Sequence, residues 1–223
     1  MDPRFDAAVL STAYFPPVEY FFAVAHSQRV LIEQHEAYQK QSWRNRCRIL
    51  AAAGPEDLSI PVVKEERLSR PIRDIRIDYT EPWLQHHVRA FAAAYNHSAY
   101  YEYYADDLLP ILERKPAFLF DLNLALLEKL LALLGLDAPV SLTEEYVKDY
   151  GGILDGRERI QPKYKGESLL AEYACEQAYY QVFVNQDPSR HAGLDPTSPF
   201  IPNLSILDLL SAEGPDAASF LRT

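Results

Sequence analysis

Apolar residues in this chain follow two rhythms. Ala8 to Tyr14 reads as a buried strand, and Arg29 to His35 as a second. Between them lie Phe15-Pro16-Pro17 and a helical stretch from about Val18 to His26, with Pro17 in the first turn, where a missing N–H costs nothing. Trp43 to Leu50 and Leu58 to Val63 read as extended, joined by the hairpin-like AAAGPED of Ala51 to Asp57. Ile72 to Asp78 alternates isoleucine with charge and is a weaker strand, and Val140 to Val147 and Tyr179 to Val184 are two more.

The rhythm turns helical from Pro82 to Leu136. Leu84, Val88, Phe91 and Tyr95 recur at helical spacing, and a second helix covers Tyr103 to Arg114 up to Pro116. A third, Asp121 to Leu134, is apolar on most sides, which predicts deep burial, with Asp121 as N-cap and Gly135 as a left-handed cap. Lys148 to Gly166, dominated by glycine and charge, reads as a surface excursion, and Asn185 to Phe200 as a loop. Ser205 to Ala212 is a last short helix, with Ser205 as N-cap and Gly214-Pro215 as its stop. The pattern predicts an α/β fold over residues 1–223: one domain whose central sheet, largely parallel or mixed, is flanked by helices, plus a helical segment around 82–136.

With 48% apolar and 24% charged residues the chain has the composition of a folded globular protein. No uncharged apolar stretch reaches the about 18 residues that a membrane span requires, and the opening MDPRFDAAVL lacks the pattern of a secretory leader. Cys47 and Cys175 have no metal-ligand spacing and suit a reduced, cytoplasmic setting. The net charge of -10 argues against a nucleic-acid partner. Yet Lys40 to Arg76 holds nine basic residues against five acidic ones, the mark of a local anion site or of a solvated strand face.

Several chemistries are excluded by pattern. The first glycine is Gly54, so no glycine-rich dinucleotide turn or phosphate loop follows the first strand. Neither G-x-S-x-G nor H-E-x-x-H occurs, and neither a metal site nor a cofactor motif is read. The richest stretch is Glu33 to Ile49, EQHEAYQKQSWRNRCRI, which reads as a wall facing a small anionic or sugar-containing ligand. Strand alternation would put Glu33 and His35 on one face, and Arg44, Arg46 and Arg48 together opposite Trp43, Asn45 and Cys47. Arginine forks, Arg46 foremost, would clamp phosphate or carboxylate, with Trp43 available to stack on a ring. Glu33 or His35 would accept a proton, while Lys40 and Asn45 orient the ligand. Cys47 suits a packed strand position better than a nucleophile. His87, in line with Leu84 and Phe91, is a core histidine by default, and Asn96 to Tyr104 is either a sugar platform or an aromatic stripe between helices.

At these residues the chain resembles the WbqC-like family, whose members occur in bacterial surface-polysaccharide (O-antigen) gene clusters. The resemblance rests on LSTAYFPPVEYFF at Leu10 to Phe22, the Glu33 to Arg48 block and FIPNLSILDLL at Phe200 to Leu210, with FLFDLN, RIQPK and YYQVF as weaker anchors. Family-typical positions include Tyr14, Tyr20, Lys40, Asn45, Arg46, His87, Asn203, Ser205 and Asp208, whereas Val88 and Arg89 depart from the family pattern. The resemblance implies work on sugars, nucleotide-activated sugars or their substituents, by a group transferase. Its alternatives are a non-catalytic scaffold of a polysaccharide assembly complex and a nucleotidyl-transfer enzyme.

Overall fold

Strands β1 (Ala8–Ser11) and β2 (Val30–Glu33) pair in parallel, from Ala8 opposite Val30 to Ser11 opposite Glu33. Their residues are almost wholly buried, so they read as continuous runs rather than alternating ones. Helix α1 (Val18–Ala25) makes the crossover and buries Tyr20, Phe21 and Phe22. The computed structural model describes residues 4–64, 70–186 and 200–222; most of the loop read at Asn185 to Phe200 lies outside the described residues.

The hairpin β3 (Arg46–Ala51) and β4 (Gly54–Ser59) forms a separate antiparallel pair. Two expectations shift here. Trp43–Asn45 is a single 3-10 turn, not the start of the strand, and β4 begins at Gly54 rather than Leu58. Gly54, at φ 119°, permits a two-residue turn, and only Gly54 and Leu58 of β4 are buried, so GPED conceals a strand under a polar pattern. Ile72 to Asp78 is no regular strand either: Ile72–Asp74 is a 3-10 turn, and Arg76 and Ile77 make only isolated bridges.

Three helices follow as expected, α2 (Trp83–Tyr95), α3 (Tyr101–Glu113) and α4 (Leu119–Leu134). Phe118 rather than Asp121 occupies the N-cap of α4, so Asp121 sits inside the first turn, where a carboxylate favours the helix dipole. Gly135 closes α4 at φ 59°, ψ 37°, the left-handed cap that a side chain would strain.

Strand β5 (Val140–Leu142) adds beside β2, and β6 (Leu154–Asp155) beside β1, completing a parallel sheet of order β5-β2-β1-β6. The stretch read as a surface excursion thus supplies a sheet strand. The run read as a strand near Tyr179 becomes α6 (Val182–Gln186), after α5 (Leu169–Glu172). The side chain of Asn185 accepts from the Gln181 N–H at 2.7 Å, closing a local turn that a short apolar run cannot announce. Helix α7 (Ile206–Glu213) starts at N-cap Ser205, whose hydroxyl accepts from the Leu207 N–H, and α8 (Ala217–Leu221) ends the described chain.

The main hydrophobic core runs from β1 through α4 to α8, with a smaller cluster of Leu50, Val184 and Leu204 beside it. Leu126 in α4 is fully buried within it. Leu126→Ala should lower the unfolding free energy by about 3 kcal/mol, from lost transfer energy plus the cavity left behind. Urea denaturation should show this as a lower midpoint with an unchanged slope.

Candidate functional site

Parallel strands bring chemistry to one edge of the sheet. At their carboxyl ends lie Ser11 at the end of β1, Glu33 at the end of β2, Thr143 after β5 and Arg157 after β6, all buried. Open α/β sheets leave a crevice at such an edge, and the chain here continues on both sides of β1.

Two buried ion pairs organise this edge. The Glu33 carboxylate accepts from the His35 N–H at 2.7 Å, from the Thr143 hydroxyl at 3.0 Å and from the Arg157 guanidinium at 3.3 Å. Arg157 also donates to Asp155 at 2.6 Å and to the carbonyls of Val147 and Lys148, and lies over the Tyr146 and Tyr150 rings. In the second pair Arg44 forks onto Glu36 at 2.8 and 2.5 Å and reaches the Ser11 hydroxyl at 2.9 Å. Burial raises the Glu36 pKa against the opposing pull of Arg44 and Ser11. Tyr20 donates to the Ser11 carbonyl at 3.1 Å, and Asn123 of α4 donates to the Arg44 carbonyl at 2.7 Å.

The arginines do not share a face. Because Trp43–Asn45 is a 3-10 turn, Arg44 points into the interior, fully buried. Arg46 and Arg48 stay on the hairpin, bonded to Asp57 at 3.0 and 2.7 Å. Partial burial pushes the Asp57 carboxyl up, but Arg48 and Arg46 hold it below the usual range. Asn45 donates to the Ile60 carbonyl at 2.7 Å, and Trp43 is buried beneath the Arg48 guanidinium. The expected common hollow between the arginines and the Glu33–His35 pair is therefore not formed, since each charge has met a nearer partner. The His35 ring instead bonds the Thr143 carbonyl at 3.1 Å.

Tyr14 and His87 form a separate buried pair, with the phenol 3.0 Å from Nδ1. Burial, assisted by His86 and opposed by a bond to the Ser59 carbonyl, lowers the His87 pKa to about 4. The ring is thus neutral near pH 7, and Tyr14 donates to its free nitrogen.

Accessible space lies beside the ion pairs. A cleft of about 400 Å³ runs between residues 39–42 and 158–165, and Lys40, Lys163 and Lys165 line it with Gln161, Tyr164 and the single acid Glu158. Gln39 ties cleft to floor, donating to Glu158 at 2.9 Å and accepting from Arg44 at 3.3 Å. Gln161 does the same from the other wall, donating to the Arg157 carbonyl at 2.8 Å. A second cleft, about 180 Å³, contains Trp43, Arg48 and Arg159 and shares Gln161, Pro162 and Tyr164 with the first. Sequence reasoning placed Lys40 and Trp43 in a site but missed Ser11, Glu36, Arg157, Lys163 and Lys165; RIQPK was the one signal in that excursion.

Replacing Arg44 by Met should leave Glu36 buried without a counter-ion and cost roughly 3–5 kcal/mol. The Glu36→Leu/Arg44→Met double variant should lose less than Arg44→Met alone, as a denaturation cycle can measure. For His87, whose folded pKa lies below the unfolded value of about 6.5, stability is full above that value and declines as pH falls towards 4. A His87→Gln protein should show a shallower loss over that window in pH-dependent melting.

Among curated proteins the chain is 28% identical over 229 aligned residues to an uncharacterized protein of Mycobacterium tuberculosis, covering 96% of each. No solved structure gives a significant match. Residues 12–220 match the WbqC-like protein family, nearly the whole length from the end of β1 to α8. The chain belongs to the WbqC-like protein family.

Proposed function

We propose that the protein binds an anionic, polyhydroxylated ligand of the sugar-nucleotide class in the paired clefts, and acts on it as a group transferase of bacterial surface-polysaccharide synthesis. One observation carries this reading. Lys40, Lys163 and Lys165 converge on one polar cleft of a protein of net charge -10, and none has an ion-pair partner among the described residues. Three like charges facing one cleft repel one another, and a diphosphate relieves that repulsion. Membership of the WbqC-like family supports the polysaccharide setting. Beneath the ligand, the Glu36–Arg44 and Glu33–Arg157 pairs hold the floor rigid, so that the lysine-bearing walls keep their separation.

A second reading, binding without turnover, is favoured by the saturation of Glu33. Its carboxylate is fully buried, with both oxygens occupied, so its use as a base requires the Arg157 or Thr143 contact to open. Turnover separates the two: transfer of the sugar to an acceptor releases nucleoside diphosphate, transfer of a substituent changes the mass of the sugar nucleotide, and a binding protein does neither.

Calorimetric titration with uridine-, guanosine-, thymidine- and adenosine-diphosphate hexoses tests the shared claim. At least one should bind, and Lys40→Ala/Lys163→Ala should weaken it roughly tenfold or more, by about 0.7 kcal/mol or more per lost contact. The wild-type affinity should fall with added salt, as for any exposed charge contact. Binding that ignores both lysines and salt removes the reading.

A further inference from the structure

The second cleft holds a group that neither ion pair nor the lysines use. Glu19, in the first turn of α1, is only 4% exposed, yet its Oε2 has no hydrogen-bond partner among the described residues. Glu19 lines the cleft together with Asn203, Trp43, Arg48 and Arg159. The Glu19 backbone N–H donates to Asn203 Oδ1 at 3.1 Å, which leaves the Asn203 amide nitrogen to donate elsewhere. Asn203 itself stands at φ 55°, a left-handed conformation that few residues adopt and that asparagine tolerates best after glycine.

A buried, half-bonded carboxyl is costly, and an apolar side chain would fill the same space without that cost. Burial raises its pKa to about 7, opposed by the Leu169 N–H, by Arg159 and by Asn203, and assisted by Glu176. The charges on the cleft wall decide what can approach Glu19. Arg48 and Arg159, each already bonded to an acid (Asp57 and Glu172), disfavour a cationic ligand beside Glu19. Glu19 itself disfavours an anionic one. What remains is a neutral group with hydrogen-bond donors, and the adjacent hydroxyls of a sugar ring present two donors to one carboxylate.

We propose that this second cleft is the sugar subsite of the groove, and that Glu19, backed by Asn203, selects a neutral ring with free neighbouring hydroxyls. The inference rests on the sugar-nucleotide reading above, with the diphosphate held by the lysine cleft across the shared wall of Gln161, Pro162 and Tyr164. A hydroxyl donates more strongly to an ionised carboxylate than to a neutral acid. Sugar-nucleotide affinity therefore rises as pH climbs through the Glu19 midpoint, while the diesterified diphosphate keeps its charge.

Other charged or titratable groups surround Glu19: Arg48 from β3, Arg159 and Tyr164 from the opposite wall, Glu172 from α5, and Glu176 beyond it. Asp208 of α7, which burial pushes up to about 6, is bonded to Tyr179 and Gln181 and does not line this cleft. All of these persist when Glu19 alone is changed, so comparison with a Glu19→Gln protein isolates its titration.

The test is calorimetric titration of the same four diphosphate hexoses at about pH 6 and about pH 8, with wild type, Glu19→Gln and Lys40→Ala. Wild type should bind roughly fivefold tighter at the higher pH, as a charged acceptor replaces a neutral one, and Glu19→Gln should be nearly flat. Glu19→Gln should also melt at or above the wild-type temperature at pH 8, because a buried ionised carboxylate has been removed. A wild-type pH profile in Glu19→Gln overturns the assignment, and so does a variant that melts below wild type at both pH values, the mark of a carboxylate serving structure alone. If no hexose binds wild type in a Lys40-dependent way, the sugar-nucleotide reading itself fails and takes this inference with it.

Discussion

Two carboxylate–guanidinium pairs buried at the carboxyl edge of the sheet set the geometry of everything around them. Charges taken out of water are tolerable only when each is answered by an opposite charge and its remaining lone pairs by hydrogen bonds. Glu36–Arg44 meets that demand with Ser11, and Glu33–Arg157 with Thr143, Asp155 and two carbonyls. Satisfying both at once leaves little freedom in how the ends of β1, β2, β5 and β6 sit relative to one another, or in where the Trp43–Asn45 turn lies. Replacing such a pair whole by apolar residues is often neutral for stability, whereas removing one partner is costly.

That rigidity passes outward by short steps. Gln39 links the Glu36–Arg44 pair to one wall of the lysine cleft, and Gln161 links the Arg157 backbone to the other. On the far side, Asn123 of the apolar helix α4 pins the Arg44 carbonyl, so the hydrophobic layer and the polar edge are registered through one amide. The first cleft is thus lined by exposed lysines mounted on a frame of packed side chains and buried charge. This division suits recognition of a charged ligand, since the ordering cost falls only on the side chains that touch it.

Local signals were legible where one residue's own conformational preference decides the outcome. Gly135 caps α4 because a left-handed residue is needed there, and Ser205 caps α7 because its hydroxyl reaches a free N–H. The buried strands β1 and β2 and the leucine-rich α4 were legible because continuous apolar runs have few other places to go. Failures came where the partner lies far along the chain. Strand β6 is two residues long and exists only because β1 offers an edge to pair with, and α6 replaced a strand through one local amide bond. The arginine row was misjudged for a related reason: alternation assumes a strand, and a single 3-10 turn sent Arg44 inward instead.

The amino-acid sequence by itself determined the α/β class, the helical stretch after Pro82, the acidic whole with its basic segment, and the family. Those properties follow from composition, periodicity and cap chemistry, which act over a few residues. Only the tertiary structure decided which acid meets which base, that Lys40 faces Lys163 and Lys165 from 120-odd residues away, and that Glu19 is left with an unanswered oxygen. Pairing of charges depends on distance in space and on exclusion of water, and neither is written in the order of the residues.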